Sequence, residues 1–189
     1  MNRSTPVRAI FIVSLVVFTT LSVFVALGYL LTIIFGIPFS LSLPISVRWF
    51  GLLLVASGLI FFRWLFRYRK PIEVVISTYA TVLKATRKAR LEERTGRTES
   101  LTIEGPYKLV RHPLYFGVVL LVLGWWLLLD YSFVFISAVL LLLWFNFVVA
   151  AFEEKELRAI FGGEYIKYSR DVPKLIPFLK RCTERRTEQ

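Results

Sequence analysis

Residues 114–152 read LYFGVVLLVLGWWLLLDYSFVFISAVLLLLWFNFVVAAF, an apolar run of 39 residues interrupted only by Asp130-Tyr131-Ser132 and a lone Asn146. A straight helix of that length would measure about 58 Å at about 1.5 Å per residue, nearly twice the roughly 30 Å of a bilayer's hydrocarbon core. The run therefore has to fold back on itself. A turn at Asp130-Tyr131-Ser132 returns both of its ends to the same membrane face. At one end stands Gly105-Pro106-Tyr107, followed by Arg111-His112-Pro113-Leu114-Tyr115-Phe116-Gly117. At the other stands Glu153-Glu154-Lys155-Glu156-Leu157, then Phe161-Gly162-Gly163-Glu164-Tyr165 and Tyr168. The hairpin predicts one polar site built from two distant pieces of sequence.

Composition agrees with a membrane chain. Of the 189 residues 56% are hydrophobic and 16% aromatic, and the mean hydropathy is +0.63, far from an ordinary soluble domain. The net charge of +11 invites a nucleic-acid reading. The basic residues, however, lie between and after the apolar runs and no recognition motif accompanies them, so no nucleic-acid partner is expected. The one cysteine, Cys182, excludes an intramolecular disulfide and a multi-cysteine metal site, and its position is wrong for a C-terminal prenylation box.

The fold expected is an all-α integral membrane protein with about four transmembrane helices. The first span, 9–35, is too long for a signal-peptide core and shows no clear cleavage site, so it reads as retained. Gly36-Ile37-Pro38 and Pro44 mark a short turn before a second span at 45–66, where Arg48 can extend its head to the interface. The third span is about 114–129 and the fourth about 133–152, with Gly117 and Gly124 giving the third a smooth face for close packing. Lysines and arginines number two before the first span, twelve between Arg63 and Arg111, and nine from Glu153 onward. The positive-inside rule then places both termini and the large loop in the cytoplasm, with the polar site facing the cytosol. Three regions follow: 1–66 with two N-terminal transmembrane helices, 67–104 as a basic cytosolic connector, and 105–189 carrying the site, its hairpin and a C-terminal helix. Within the connector, 72–93 reads as an amphipathic helix on the membrane surface, its basic face including Lys84, or equally as a solvated helix continuing from the second span. Residues 94–100 read as a mobile joint.

Pro113 suits the first turn of a helix, and it holds His112 out of the helical region so that the ring can point into a cleft. Taken singly, these residues have ordinary explanations: His112 can simply start a span, Arg111 can anchor at the interface, and Glu154 can pair with Arg158 one turn on. Adjacent carboxylates at the edge of a hydrocarbon layer are nevertheless costly without a basic partner, water or a ligand. Tyr165 and Tyr168 share a helix face after the glycine break, and aromatic faces beside carboxylates suit a cationic ligand or an adenine ring. One histidine, and no Gly-x-Ser-x-Gly, Walker or GxGxxG loop, make metal hydrolysis and Ser-His-Asp catalysis poor readings, and no metal site is expected.

Together these motifs resemble the isoprenylcysteine carboxyl methyltransferase family and its wider group of membrane methyltransferases, which includes phospholipid methyltransferases. The resemblance rests on Gly105-Pro106-Tyr107, Arg111-His112-Pro113-Leu114-Tyr115-Phe116-Gly117, Glu153-Glu154, Phe161-Gly162, Tyr165, Tyr168 and Val172-Pro173-Lys174-Leu175-Ile176-Pro177. Leu157 departs by one position from the strictest spacing of the glutamate motif. The resemblance implies an S-adenosylmethionine site at the cytosolic mouth of the bundle. It assigns the cofactor to Tyr107, His112, Pro113, Tyr115, Gly117, Glu153, Glu154, Tyr165 and Tyr168, and the reacting centre to Arg111 and Glu154. The implied activity is methyl transfer to a lipophilic or prenylated small-molecule acceptor arriving from the membrane lipids, with the isoprenylcysteine carboxyl group first. A phospholipid amine or a thiol stands second. A sterol-reductase-like NADPH enzyme and a non-enzymatic membrane protein are the rival classes.

Overall fold

The computed structural model describes residues 4–86 and 101–177. The described chain is helical throughout, without a strand: α1 (Ser4–Ile34), α2 (Ile45–Tyr68), α3 (Pro71–Ala85), a short 3₁₀ turn at Gly105–Lys108, α4 (Pro113–Leu129), α5 (Ser132–Trp144), a π turn at Phe145–Val149, α6 (Ala150–Phe161) and α7 (Gly163–Asp171). The stretches expected to form the joint at 94–100 and the end of the amphipathic segment, like Cys182, lie outside the described residues.

Three helical stretches, Val7–Ile34, Ile45–Tyr68 and Ser132–Phe161, are long and apolar enough to cross a bilayer. The last runs unbroken through the π turn, so Glu153 and Glu154 ride on the same continuous helix as the apolar residues before them. The apolar α4 has 17 residues, about 25 Å of helix and the short end of what a span requires. The chain is an all-helical membrane protein.

Packing follows the small residues. Helix α2 lies along α4, α1 lies along α5, and α4 and α5 form the expected hairpin. A Cβ on Gly51 would sit 2.7 Å from the Gly124 carbonyl, and one on Gly124 would sit 2.8 Å from the Val55 nitrogen, so the α2 and α4 backbones touch at paired glycines. Two helices without a hydrophobic driving force between them gain by such close approach. Meanwhile Phe11 and Phe18 of α1, Trp49 and Phe50 of α2 and Trp125 of α4 face outward, as contact with hydrocarbon demands.

The two turns at the end remote from Glu153 are fastened to each other. Asp130, left-handed at φ 58°, caps α4 and is buried. Its carboxylate accepts from the Ser40 hydroxyl at 2.7 Å, from the Leu41 and Leu43 N–H groups at 3.3 and 3.0 Å, and from Arg48 Nη2 at 3.2 Å. Ser132 adds a hydroxyl bond to the Pro38 carbonyl at 2.6 Å. Arg48, expected to reach for the interface, turns to Asp130 instead because a buried carboxylate there needs a cation.

Helix α3 is set off from α2 at Arg69-Lys70 and starts with Pro71, and the Glu73 carboxylate accepts from the Lys70 N–H at 3.0 Å. Its buried stripe is Ser77, Ala80, Thr81 and Lys84, and the helix packs against α1 and α6. Lys84 therefore does not belong to an outward basic face. Its ammonium lies 2.9 Å from Glu156 Oε1, and the Thr81 hydroxyl donates to Glu156 Oε2 at 2.9 Å.

Candidate functional site

The site lies at the end of the bundle where α4 begins and the long α5–α6 helix sheds its apolar character. His112 has φ −117° and ψ 68°, outside the helical region as the following proline requires, and Pro113 opens α4. The ring is thereby turned toward α6 and is buried. Its Nδ1 lies 3.2 Å from Glu153 Oε2 and its Nε2 lies 3.5 Å from Glu154 Oε1. Arg111 Nη1 reaches the same Glu154 oxygen at 2.9 Å, and the Tyr115 hydroxyl donates to Glu153 Oε1 at 2.7 Å. The ends of the hairpin are thus joined by a four-member charge network, Arg111–Glu154–His112–Glu153, closed by Tyr115. Glu154 gives itself to Arg111 and His112 rather than to Arg158.

Burial alone would lower the pKa of His112, but hydrogen bonds to Glu153 and Glu154, together with their charges, outweigh it and raise the group above its ordinary 6.5. The protonated ring then donates from Nδ1 to Glu153, while its Nε2–H faces Glu154 as an ion-pair contact at 3.5 Å. A folded-state pKa raised above the unfolded value contributes stability that is full below about pH 6.5 and is lost as pH rises through the folded pKa. Thermal unfolding in detergent should therefore show a midpoint that falls as pH rises through that raised pKa, a step missing from His112→Gln. The same decline in both proteins would contradict the network.

The wide π turn just before α6 serves this arrangement. Its amide ladder runs from the Ala150 N–H to the Phe145 carbonyl, which diverts the Asn146 carbonyl to the Lys174 ammonium. The segment carrying Lys174 folds back over the site, with the Arg111 N–H donating to the Pro173 carbonyl at 2.9 Å and the His112 N–H to the Lys174 carbonyl at 3.1 Å. Phe145 stacks on Tyr115 at 4.6 Å, and Tyr115 on His112 at 5.6 Å. Leu175 completes a small core with Tyr115 and Ala150.

Beyond Phe161 the chain turns at Gly162, whose φ of 53° with ψ −125° is open to glycine alone, and α7 returns toward the 3₁₀ turn. The Tyr168 hydroxyl donates to the Tyr107 carbonyl at 2.7 Å, locking α7 to Gly105–Lys108. Tyr165 is fully buried beside Tyr168. Burial and the neighbouring Glu154 charge push its hydroxyl up to about 12, and burial with the two neighbouring tyrosines raises Tyr168 too, so neither phenol ionises near neutrality.

A cleft opens over this network, with a water-accessible volume of ≈ 100 Å³. Of the expected residues, Tyr107, Arg111, His112, Pro113, Tyr115, Glu153 and Tyr168 line it. Glu154 and Tyr165 do not; they stand behind the lining, where they hold Arg111 and Tyr168. Gly117 also lies away from the cleft, and a Cβ there would meet Phe62 of α2 at 3.0 Å, so its smallness serves helix packing. Arg69, Val74, Ser77 and Thr78 from the α2–α3 region, with Leu101 and Thr102, complete the wall and were not singled out by the motifs. Lys174 and Phe145 were missed as well. Pro173 and Pro177, which flank Lys174 in the last described segment, were the available signal for the first, and the neighbouring Asn146 for the second.

A sequence profile of the phospholipid methyltransferase family matches residues 46–164, more than half of the chain. The match starts at α2, well before the motif region, and ends before Tyr165. Searches among curated proteins and among solved structures return no significant match. With the helical bundle, its charged mouth and this match in hand, the chain belongs to the phospholipid methyltransferase family, within the wider group of membrane methyltransferases.

Proposed function

We propose that the protein transfers a methyl group from S-adenosylmethionine to a carboxylate on a lipid-like acceptor, as in isoprenylcysteine carboxyl methylation. The observation that supports this most is the closed state of the charge network. His112 is held between two carboxylates, Glu153 accepts from Tyr115 and faces His112, and Glu154 is shared by Arg111 and His112. None of them is poised to take a proton, so the acceptor has to arrive as a ready nucleophile. A carboxylate does; an ammonium headgroup does not.

The chemistry of the donor set fits the methyl donor. Tyr107 and Tyr168 bring aromatic rings to the cleft for an adenine ring or a sulfonium, Glu153 brings a carboxylate that suits an ammonium, and Arg111 matches a carboxylate. When bound, S-adenosylmethionine supplies an electrophilic methyl carried on a sulfonium. The chain's own part is alignment and exclusion of water: Leu114, Leu157 and Phe161 give the cleft an apolar rim that keeps opposite charges poorly solvated as they approach. The present ≈ 100 Å³ is small against the roughly 300 Å³ or more of ordinary cofactor pockets, so binding of so large a molecule opens the cleft or extends past its mouth. In this reading α1, α2, α4 and the α5–α6 helix all cross the bilayer, both termini are cytoplasmic, and the site faces the cytosol. Of the 24 lysines and arginines, 23 lie before the first span, from Arg63 to Arg111 or after Phe152, and Arg48 alone stands near the remote turns, which supports that orientation. The regions 1–66, 67–104 and 105–189 then divide as two anchoring spans, a basic connector and the cofactor-binding part.

A second reading, methylation of a phospholipid amine, is favoured by the family match. It would require Glu153, the one carboxylate lining the cleft among the described residues, to leave its partners and accept a proton. The two readings separate by product. Purified protein in lipid nanodiscs, given isotope-labelled S-adenosylmethionine with N-acetyl-S-farnesylcysteine or with phosphatidylethanolamine, should yield a base-labile methyl ester on the first. N-methylated lipid as the one product would transfer the assignment to the second.

A further inference from the structure

The cleft lining divides by element. The 3₁₀ turn and helices α4, α6 and α7, with the His112 loop, bring most of the charged and aromatic groups, and Arg69 adds one charge from the junction before α3. Helix α3 brings Val74, Ser77 and Thr78, which are small and uncharged. A surface without charge or aromatic faces has little to offer a nucleoside bearing a sulfonium, but it can border an aliphatic or thioether chain lying beside the reacting centre.

That wall is not held by apolar packing alone. One to two turns beyond Thr78, on the buried stripe of the same helix, Lys84 meets Glu156 of α6 at 2.9 Å, both side chains wholly buried, and Thr81 binds the second Glu156 oxygen at 2.9 Å. Glu156 is followed by Leu157, which lines the cleft from the opposite element. A hydrogen-bonded ion pair of this kind has one acceptable geometry and fixes register, whereas apolar side chains would tolerate sliding. Ser77 and Lys84 are two turns apart on one face, so any slip at the pair is transmitted directly to the lining residues.

We propose that α3 is the acceptor-side wall of the cleft, with Thr78 as a residue that contacts the acceptor and selects it, and Lys84–Glu156 as the positioning pair that sets the wall's register. The assignment rests on the methyltransferase reading above. It assigns acceptor choice to a helix that lies outside the motifs at 105–117 and 153–168.

The test uses the full-length protein in nanodiscs, with S-adenosylmethionine binding measured by calorimetry and turnover measured with whichever of N-acetyl-S-farnesylcysteine and phosphatidylethanolamine the wild type methylates. Glu156→Gln and Thr78→Phe should each raise the acceptor KM at least tenfold while kcat and the S-adenosylmethionine Kd stay within threefold. The exchanged pair Lys84→Glu with Glu156→Lys should bring KM most of the way back. A fall in kcat or in cofactor affinity at unchanged KM would overturn the assignment, as would wild-type values in Thr78→Phe, which leaves the ion pair untouched and answers the question even where Glu156→Gln fails to fold. Failure of the wild type itself to bind S-adenosylmethionine would instead remove the methyltransferase reading beneath it.

Discussion

His112→Ala is expected to weaken S-adenosylmethionine binding by about tenfold to a hundredfold while leaving a folded, extractable protein. The ring is the common partner of Glu153 at 3.2 Å and Glu154 at 3.5 Å, and it is the first member of the stack that continues through Tyr115 to Phe145. Its loss brings two carboxylates to bear on each other with no charge between them, and Glu153 loses its contact with the ring while keeping the Tyr115 hydroxyl. Hydrogen bonds to charged groups contribute about 1.5–3 kcal/mol, which is about one to two decades in a binding constant. The Arg111–Glu154 pair and the backbone bonds to Pro173 and Lys174 remain, so the fold should survive. Calorimetric titration of the monodisperse variant checks this, and wild-type affinity would take His112 out of the site.

Asp130→Ala should be the most damaging single change at the opposite end, lowering the thermal unfolding midpoint in detergent. Two costs combine there. The carboxylate accepts from Ser40, Leu41, Leu43 and Arg48, and removing one member of a buried charged cluster leaves the rest unsatisfied. The position is also left-handed, at φ 58°, which asparagine and aspartate tolerate better than alanine. Asp130→Asn separates the two contributions: it keeps the backbone preference and loses the charge, so it should fall between wild type and alanine. Thermal unfolding of the three proteins in one detergent gives the order; an Asn variant as unstable as Ala would assign the whole effect to charge. Cofactor affinity of whatever remains folded should be unchanged, because the two ends of the bundle share no side chains.

How much of this was legible in the chain can be judged from the same residues. The hairpin turn at Asp130-Tyr131-Ser132 was readable because an apolar run too long for one crossing leaves no alternative. The meeting of the Arg111-His112 loop with Glu153 and Glu154 followed from it. The break at Gly162 and the helix start at Pro113 were readable from local backbone chemistry. The partners within the site were not. Glu154 looked equally able to pair with Arg158 one turn on, and it was turned to Arg111 by a π turn that inserts a wide loop into the ladder and rotates everything after it, a feature without a reliable sequence signal. Lys84 belonged by helical projection with Arg87, Lys88 and Arg90, and its neutralising partner lies 72 residues away on α6. Gly117 had two readings, a packing glycine with Gly124 and a member of the cofactor motif, and the structure puts it against Phe62, on the packing side. Asp130 read as a turn residue, which it is, and nothing local announced that it also gathers Arg48 and the first turn. Long-range pairing of charges was the information that periodicity and spacing lacked.

The central claim, that the network of Arg111, His112, Glu153 and Glu154 with its rim of tyrosines is a site for S-adenosylmethionine, is most directly tested by calorimetry. The purified protein should be titrated in parallel with S-adenosylmethionine, S-adenosylhomocysteine and NADPH. Saturable binding of the first two, at about micromolar affinity, with no heat from NADPH, is the result predicted. Binding of NADPH without the other two would contradict the account and place the chain's chemistry with reduction rather than methyl transfer.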